Sequence, residues 1–265
     1  MFVRRLAEGS RRQDWFAVLI EILVVIIGLV AAFQVDRWWE ARGDRASEEA
    51  YLSRLIAEVE GDIPKLEYAI GLAEVRLGFA DLLVEAGVDP LAALAEPGIF
   101  LAAVSQAAYT YTPTLSSNTF EDLRSTGNLK LIRDADLKQA LHEYYRYDES
   151  ERQFIGLNLM IEFRYFELSA GIATLEQYRY VQDRWFIVNA GNLEEVRDSR
   201  PEEAGVRAAA RRLTERKELL AWLPRVRDLQ IDQIHGHTAR LENARSLLDR
   251  LRSSAALPPV PTPGS

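Results

Sequence analysis

Residues 47–86 read SEEAYLSRLIAEVEGDIPKLEYAIGLAEVRLGFADLLVEA, and apolar side chains return every three or four positions: Leu52, Ile56, Val59, Ile63, Leu66, Ile70, Ala73, Leu77, Ala80 and Val84. Alternating steps of four and three form the a/d seam of a heptad repeat, a long apolar stripe on one side of an α-helix. We read it as the inner face of a bundle helix, in preference to a free coiled coil. Pro64 falls inside the stripe, preceded by Gly61 and Asp62. Proline lacks a backbone donor and crowds the preceding turn, so a kink or a restart with Asp62 as N-cap is expected, although the stripe keeps its phase. The acids Glu58, Glu60 and Asp62 flank the stripe and are expected on a solvated face.

Upstream lies WFAVLIEILVVIIGLVAAF, residues 15–33. As a helix it is roughly 28 Å long, close to the ~30 Å of bilayer hydrocarbon. A cleaved secretory signal fits less well, because signal apolar regions run to about 7–15 residues and no small-x-small site follows at Ala31–Val35. The sequence therefore predicts a retained transmembrane helix over 15–35, with Trp15 at one interface and Trp38 and Trp39 at the other. Arg4, Arg5, Arg11 and Arg12 precede the span, while Arg37, Arg42 and Arg45 follow it beside Asp36, Glu40 and Asp44. That bias places residues 1–14 in the cytoplasm and residues 36–252 beyond the membrane. The first helix of that domain is expected to run on from the span, with Gly43 as the softest point.

Glu21 sits inside the span, roughly 9 Å past Trp15 along the helix. An acid at that depth is costly and marks a function or a partner. Glu21, Val25, Gly28 and Ala32 share one face, and Gly28-x-x-x-Ala32 has the small-xxx-small spacing that lets two helix backbones approach. This face is expected to pack against another transmembrane helix, from a second copy or another subunit.

Beyond residue 86, Gly87, Pro90, Pro97 and Gly98 mark a loop. Asn118 with Glu121 has the form of a capping box, Gly127 of a left-handed helix stop, and Asp134 of the next helix start. A long aromatic helix is expected from about 137 to 168, with a turn or kink at Asp148–Gln153. A helix over 171–192 ending at Gly191 and a second capping box at Ser199–Glu202 follow. Val206, Leu213 and Leu220 then share a face up to Pro224, and Ile234, His237, Leu241, Ala244, Leu248 and Leu251 form another heptad seam. Residues 253–265, SSAALPPVPTPGS, are expected to form a flexible proline-rich tail. The predicted fold class is all-α: an N-terminal transmembrane helix followed by an extended antiparallel helical bundle.

Three stretches, EILVVIIGLVAAFQVDRWWEAR (21–42), EEAYLSRLIAEVEGD (48–62) and TLSSNTFEDLRSTGNLKLIRDADLKQALHEYY (114–145), resemble a family of bacterial single-span, membrane-anchored helical proteins classed as a domain of unknown function. The resemblance covers about residues 15–170. Its middle motif is an aromatic and an acid before Leu123-x-Ser125-x-Gly127, then Leu129-x-Leu131-Ile132 and Tyr144-Tyr145. It implies a single span with a helical domain and no activity, and it maps the family's anchor acid onto Glu21. Core packing also accounts for the motif: Phe120, Leu123, Leu129 and Leu131 supply apolar groups and residues 125–128 stop a helix.

The chemistry on offer is sparse. With no cysteine, thiolate metal sites, disulfides and cysteine nucleophiles are excluded. The formal net charge of −8 disfavours nucleic acid. His235-Gly-His237 places two imidazoles about 200° apart on a helix, so they could share an ion only if Gly236 unwound, and no third ligand is spaced for it. Phosphate-loop, zinc-protease and serine-hydrolase motifs are missing. We therefore expect no catalytic residues, metal or cofactor. The stretch YTYTPTLSSNTF, 109–120, gathers hydroxyls and aromatics around a proline, and Tyr109, Tyr111, Thr114 and Asn118 are candidates for a ligand or partner rim. The leading expectation is a non-enzymatic inner-membrane protein that acts through protein–protein contact, as a homo-oligomeric scaffold or an accessory subunit. The alternative is a periplasmic ligand-binding sensor that signals through a membrane partner.

Overall fold

The computed structural model describes residues 2–151 and 155–256, and within them the side chains of all but 2–14, 16, 17, 36 and 147–151. Helices account for nearly all the regular structure: α1 (Phe2–Val88), α2 (Ala92–Ala95), α3 (Pro97–Gln106), α4 (Asn118–Ser125), a 3-10 turn (Asn128–Leu131), α5 (Ala135–Glu151), α6 (Ile155–Ser169), α7 (Leu175–Gln182), α8 (Leu193–Asp198), α9 (Glu203–Glu215) and α10 (Lys217–Ala256). No strand occurs among the described residues.

α1 spans 87 residues without a break, running through Gly43 and Pro64, so it is roughly 130 Å long. Between Val18 and Val35 its large apolar side chains are exposed. Among the described residues it is the one helix long and apolar enough to cross a membrane. α10 returns along its upper part in the opposite direction, as the flanking ion pairs Glu60–Arg252, Glu67–Arg245 and Asp81–Arg227 show. The expected restart at Pro64 does not occur. Proline removes one intrahelical bond, but Val59, Asp62 and Leu66 are buried on either side of it, and tertiary packing on one face outweighs that loss.

The seam itself is displaced from the apolar stripe. Its buried positions are Leu52, Leu55, Val59, Asp62, Leu66, Ala69, Ala73, Arg76, Ala80 and Leu83. Half of the expected stripe is therefore right. Ile56, Ile63, Ile70 and Leu77 lie half-buried to one side, and Val84 is 40% exposed. α10 repeats the pattern with Leu223, Val226, Gln230, Gln233, His237, Arg240, Ala244, Leu247 and Leu251 all buried. Leu241 and Leu248 of the expected seam are buried beside this line, and Ile234 is half-buried.

Asp62 is not an N-cap or a solvated acid; it is 0% exposed. Its carboxylate accepts the Ser116 N–H at 3.0 and 3.1 Å, the Lys65 ammonium at 2.8 Å and the Tyr144 hydroxyl at 3.2 Å. One turn earlier, Glu58 accepts from the Thr119 N–H at 3.1 Å and the Thr119 hydroxyl at 2.7 Å. Glu58 thus satisfies a free N–H in the first turn of α4, where negative charge is favoured, and Asp62 holds the loop N–H just before the N-cap. The Asn118–Glu121 capping box is not formed: Asn118 is the first helical residue, and the N-cap Ser117 makes no side-chain bond. Glu60 remains exposed, paired to Arg252. Phe120, Leu123 and Ile132 are buried, Leu129 and Leu131 half-buried, and Phe120 stacks on Tyr145 at 4.4 Å.

Other local expectations shift in the same way. Gly127, at φ +72°, does end α4, and the Asp134 carboxylate does cap α5 through the N–H groups of Asp136 and Leu137. The expected loop from Gly87 to Gly98 is shorter, because α1 includes Gly87 and Pro97 opens α3. Gly98 is needed there: a Cβ would overlap Val196 O and Ser199 Oγ, where α8 crosses. The expected aromatic helix is two, α5 and α6, with the predicted kink falling partly at 152–154, outside the described residues. Residues 171–192 hold the short α7, opened by a capping box between Thr174 and Gln177, and irregular chain rather than one helix. Ser199 bonds back to Val196 O at 2.6 Å instead of capping forward, and α9 begins at Glu203. The shared face from Val206 to Leu220 is split at Arg216, and Pro224 lies inside α10. α10 also extends to Ala256, four residues into the expected tail; 257–265 lie outside the described residues.

Replacing Asp62 with alanine strips three donors of their acceptor and is expected to destabilise the packed helical fold by about 3 kcal/mol. The exposed Glu60→Ala is expected to cost less than ~1 kcal/mol. Denaturant titration of the detergent-solubilised full chain checks the contrast.

Candidate functional site

Two apolar cores form along the α1–α10 pair. One gathers Leu52, Leu55, Val59, Phe120, Leu141 and Leu248, and the other Phe79, Leu83, Phe100, Val181, Leu213 and Leu223. Between them the seam is polar. α10 contributes Gln230, Gln233, His237 and Arg240 in succession, and α1 contributes Ala69, Ala73 and Arg76. The small alanines leave room, and a cavity of about 320 Å3 opens there, a volume within the usual ligand-pocket range.

Each wall is set by a different element. α1 supplies Ala69, Leu72, Ala73 and Arg76; the end of α3 and the chain after it supply Ser105, Gln106, Tyr109, Thr110 and Tyr111. Phe166 of α6, Tyr178 and Gln182 of α7, and Phe186 and Ile187 close the aromatic side. Tyr109 packs on Phe166 with ring centres 4.9 Å apart, and Tyr111 on Tyr68 at 5.6 Å. Both tyrosines are partly exposed and stand at the rim.

Arg76 dominates the electrostatics. It is 3% exposed; one Nη donates to Val188 O at 2.6 Å and the other to Gln106 Oε1 at 3.1 Å, while its guanidinium lies over the Phe79 ring. Burial pulls its pKa down to about 10, so it stays charged at neutral pH. Gln106 Oε1 also accepts the Val188 N–H at 3.0 Å, which locks this corner. Gln230 Nε2 donates to Ala107 O and Tyr109 O. Three buried polar atoms on these lining residues have no partner: Arg76 Nε, Gln230 Oε1 and Gln233 Oε1. His237 shares a hydrogen bond with Tyr111 O at 3.0 Å through Nε2, and burial beside Arg240 pulls its pKa down to about 4. Its neutral ring therefore carries the proton on Nε2, since a carbonyl oxygen can only accept. Glu162, held by the Thr110 hydroxyl at 3.1 Å, has its pKa raised by burial; burial and then the nearby Glu162 raise that of the Tyr109 phenol.

Of the expected rim residues, the structure brings Tyr109 and Tyr111 to the cavity. Thr114 and Asn118 do not line the cavity: Thr114 is exposed, with its carbonyl accepting from Lys65, and Asn118 is exposed on the first turn of α4. His237 is buried in the seam and His235 is exposed, on an unbroken α10, so the two histidines do not converge. Among the described residues, no group of three or more His, Asp or Glu side chains is gathered for a metal ion. Glu21, Val25, Gly28 and Ala32 form an open face, and a Cβ on Gly28 would meet nothing. Arg76, Gln230 and Gln233 were passed over because apolar neighbours masked their seam positions; four polar residues in α10 at steps of three and four were the available signal. A second, more polar depression is lined by Asp136, Glu143, Arg146 and Arg250, two acids and two bases.

Compared with models of known protein families, with curated proteins and with solved structures, the chain matches none. The resemblance drawn from the quoted motifs stands on those residues alone.

The depressed pKa of His237 makes stability pH-dependent. Above its ordinary value of 6.5 the ring is neutral whether the chain is folded or unfolded, and it contributes no slope. As pH falls from 6.5 to about 4, the unfolded chain takes up a proton that the folded one refuses, so stability declines through that window by about 3 kcal/mol. His237→Gln is expected to remove that part of the acid sensitivity, read as the difference between the two unfolding-versus-pH curves.

Proposed function

We propose that this chain is a membrane-anchored, non-enzymatic binding protein that takes up a small molecule between α1 and α10 and conveys its presence through α1 to another membrane helix. The observation that carries this reading is the cavity in the seam, whose wall belongs to the helix with the membrane-length apolar segment. Three unpartnered polar atoms there each cost about 1–3 kcal/mol while unsatisfied. A scaffold that only had to hold helices together would do better with apolar residues at those positions. A ligand that satisfies them recovers the cost and presses directly on α1.

The anchor is the 15–35 segment, with residues 1–14 on the cytoplasmic side and the helical bundle in the periplasm, the orientation favoured by the leading arginines. The face Glu21, Val25, Gly28 and Ala32 supplies the contact with a second copy or an accessory subunit. From Ala32 to Ala69 the unbroken helix covers roughly 55 Å, so a shift at the cavity reaches the membrane without a hinge. Both halves of the sequence-based expectation are then one device: association in the membrane, governed by occupancy above it.

Thermal unfolding of the full chain in nanodiscs, screened against fractions of a small-metabolite extract, tests the reading. A ligand at about 100 times its Kd adds about 2.7 kcal/mol, a shift of roughly 5–10 °C. Ala73→Phe fills the cavity and is expected to abolish the shift. If no fraction stabilises the wild type, the cavity holds only water and the binding reading fails.

A further inference from the structure

We propose that the ligand is a small organic acid: a carboxylate that pairs with Arg76, an O–H or N–H donor that meets Gln230 and Gln233, and an apolar body seated against Phe166 and Tyr178. This rests on the cavity being a ligand site and names what it selects.

The charge argument comes first. A guanidinium taken out of water is normally matched by a carboxylate. Arg76 is buried, yet among the described residues no acid forms a salt bridge with it, and its hydrogen bonds go to two neutral oxygens. The titratable side chains nearest in its field are the phenols of Tyr68 and Tyr109, which carry no charge at neutral pH. Those neutral contacts fix the plane of the guanidinium and leave Nε–H unused. A preset guanidinium with spare donors is the arrangement that takes a carboxylate, through short charge-assisted bonds. A cationic ligand is disfavoured by the same group.

The acceptors narrow the class. Gln230 is 1% exposed and Gln233 8%. Gln230 is held in register by its amide nitrogen, which donates to two carbonyls, so its Oε1 cannot simply be exchanged for a donor. Gln233 also carries an unused Oε1 on the same wall. Two unpartnered acceptors and one buried guanidinium, on residues that line the same cavity, call for a molecule with an acid at one point and a hydroxyl or N–H at another. Phosphate alone offers no apolar body for the aromatic side and leaves that surface unfilled.

The test uses the full chain in nanodiscs and a panel of matched pairs: aromatic and aliphatic hydroxy acids, each against its own primary amide and its deoxy analogue, with 4-hydroxyphenylacetate, 4-hydroxyphenylacetamide and phenylacetate as one set. Calorimetry is expected to show acids binding about tenfold to a hundredfold more tightly than their amides, a preference that Arg76→Gln removes. Because Arg76→Gln can also weaken the fold, Gln233→Met is the second variant. It deletes an unsatisfied acceptor, so the empty protein is expected to unfold at the same temperature or higher, while hydroxy acids fall to the affinity of their deoxy analogues. Amides binding as well as acids would overturn the organic-acid inference and leave the binding reading standing. Neither acids nor amides binding, with metabolite fractions also without effect, would overturn both.

Discussion

Everything beyond the apolar N-terminal segment of α1 depends on one constraint: the two longest helices meet along a seam whose middle is polar. Asp62 and Arg76 occupy heptad positions on α1, and Gln230, Gln233, His237 and Arg240 occupy four in a row on α10. Such positions normally carry leucine or isoleucine, and a charge there is tolerated only when other groups in the fold come to meet it. At Asp62 they do: the carboxylate collects a backbone N–H, an ammonium and a phenol from three parts of the chain. That one acid ties α1 to α5 and to the loop before α4.

At Arg76 the matching is incomplete, and the difference is informative. The same helix uses a satisfied charge to build structure and, roughly 21 Å further along, an unsatisfied one to line a cavity. Small residues between them, Ala69 and Ala73, leave the space between the helices unfilled. The apolar cores on either side hold the walls in place, so the cavity is a preformed space with fixed polar groups. Preorganised sites lose little entropy on binding.

The sequence made the architecture legible because its strongest signals are long-range periodicities: the apolar run, the two heptad stripes and the aromatic stretch all correspond to helices. It misled at register. Ile56, Ile63 and Ile70 outrank Asp62 and Arg76 on any apolar scale, so every second position of the expected stripe falls one residue past the buried one. Only a tertiary partner could have shown that the charged positions face inward. The capping boxes failed for a related reason. Asn118 and Ser199 have the right neighbours in the chain, but Glu58 reaches the start of α4 first and Ser199 finds Val196 O. Composition alone singled out Tyr109 and Tyr111, which line the cavity. The glutamines and arginine that complete the site were not singled out, because each looks like an ordinary surface residue until α10 lies against α1.

Since the chain has no cysteine, single spin labels can be placed without background, and the claim that one stiff helix joins membrane and cavity can be measured as a distance. Labels at Glu40→Cys and Glu74→Cys, both on exposed positions of α1, bracket Gly43 and Pro64. In nanodiscs the account predicts one narrow distribution centred near ~51 Å, the rise of 34 helical residues. A broad distribution, or one several ångströms shorter, would mean that the helix bends between anchor and cavity, and would contradict it.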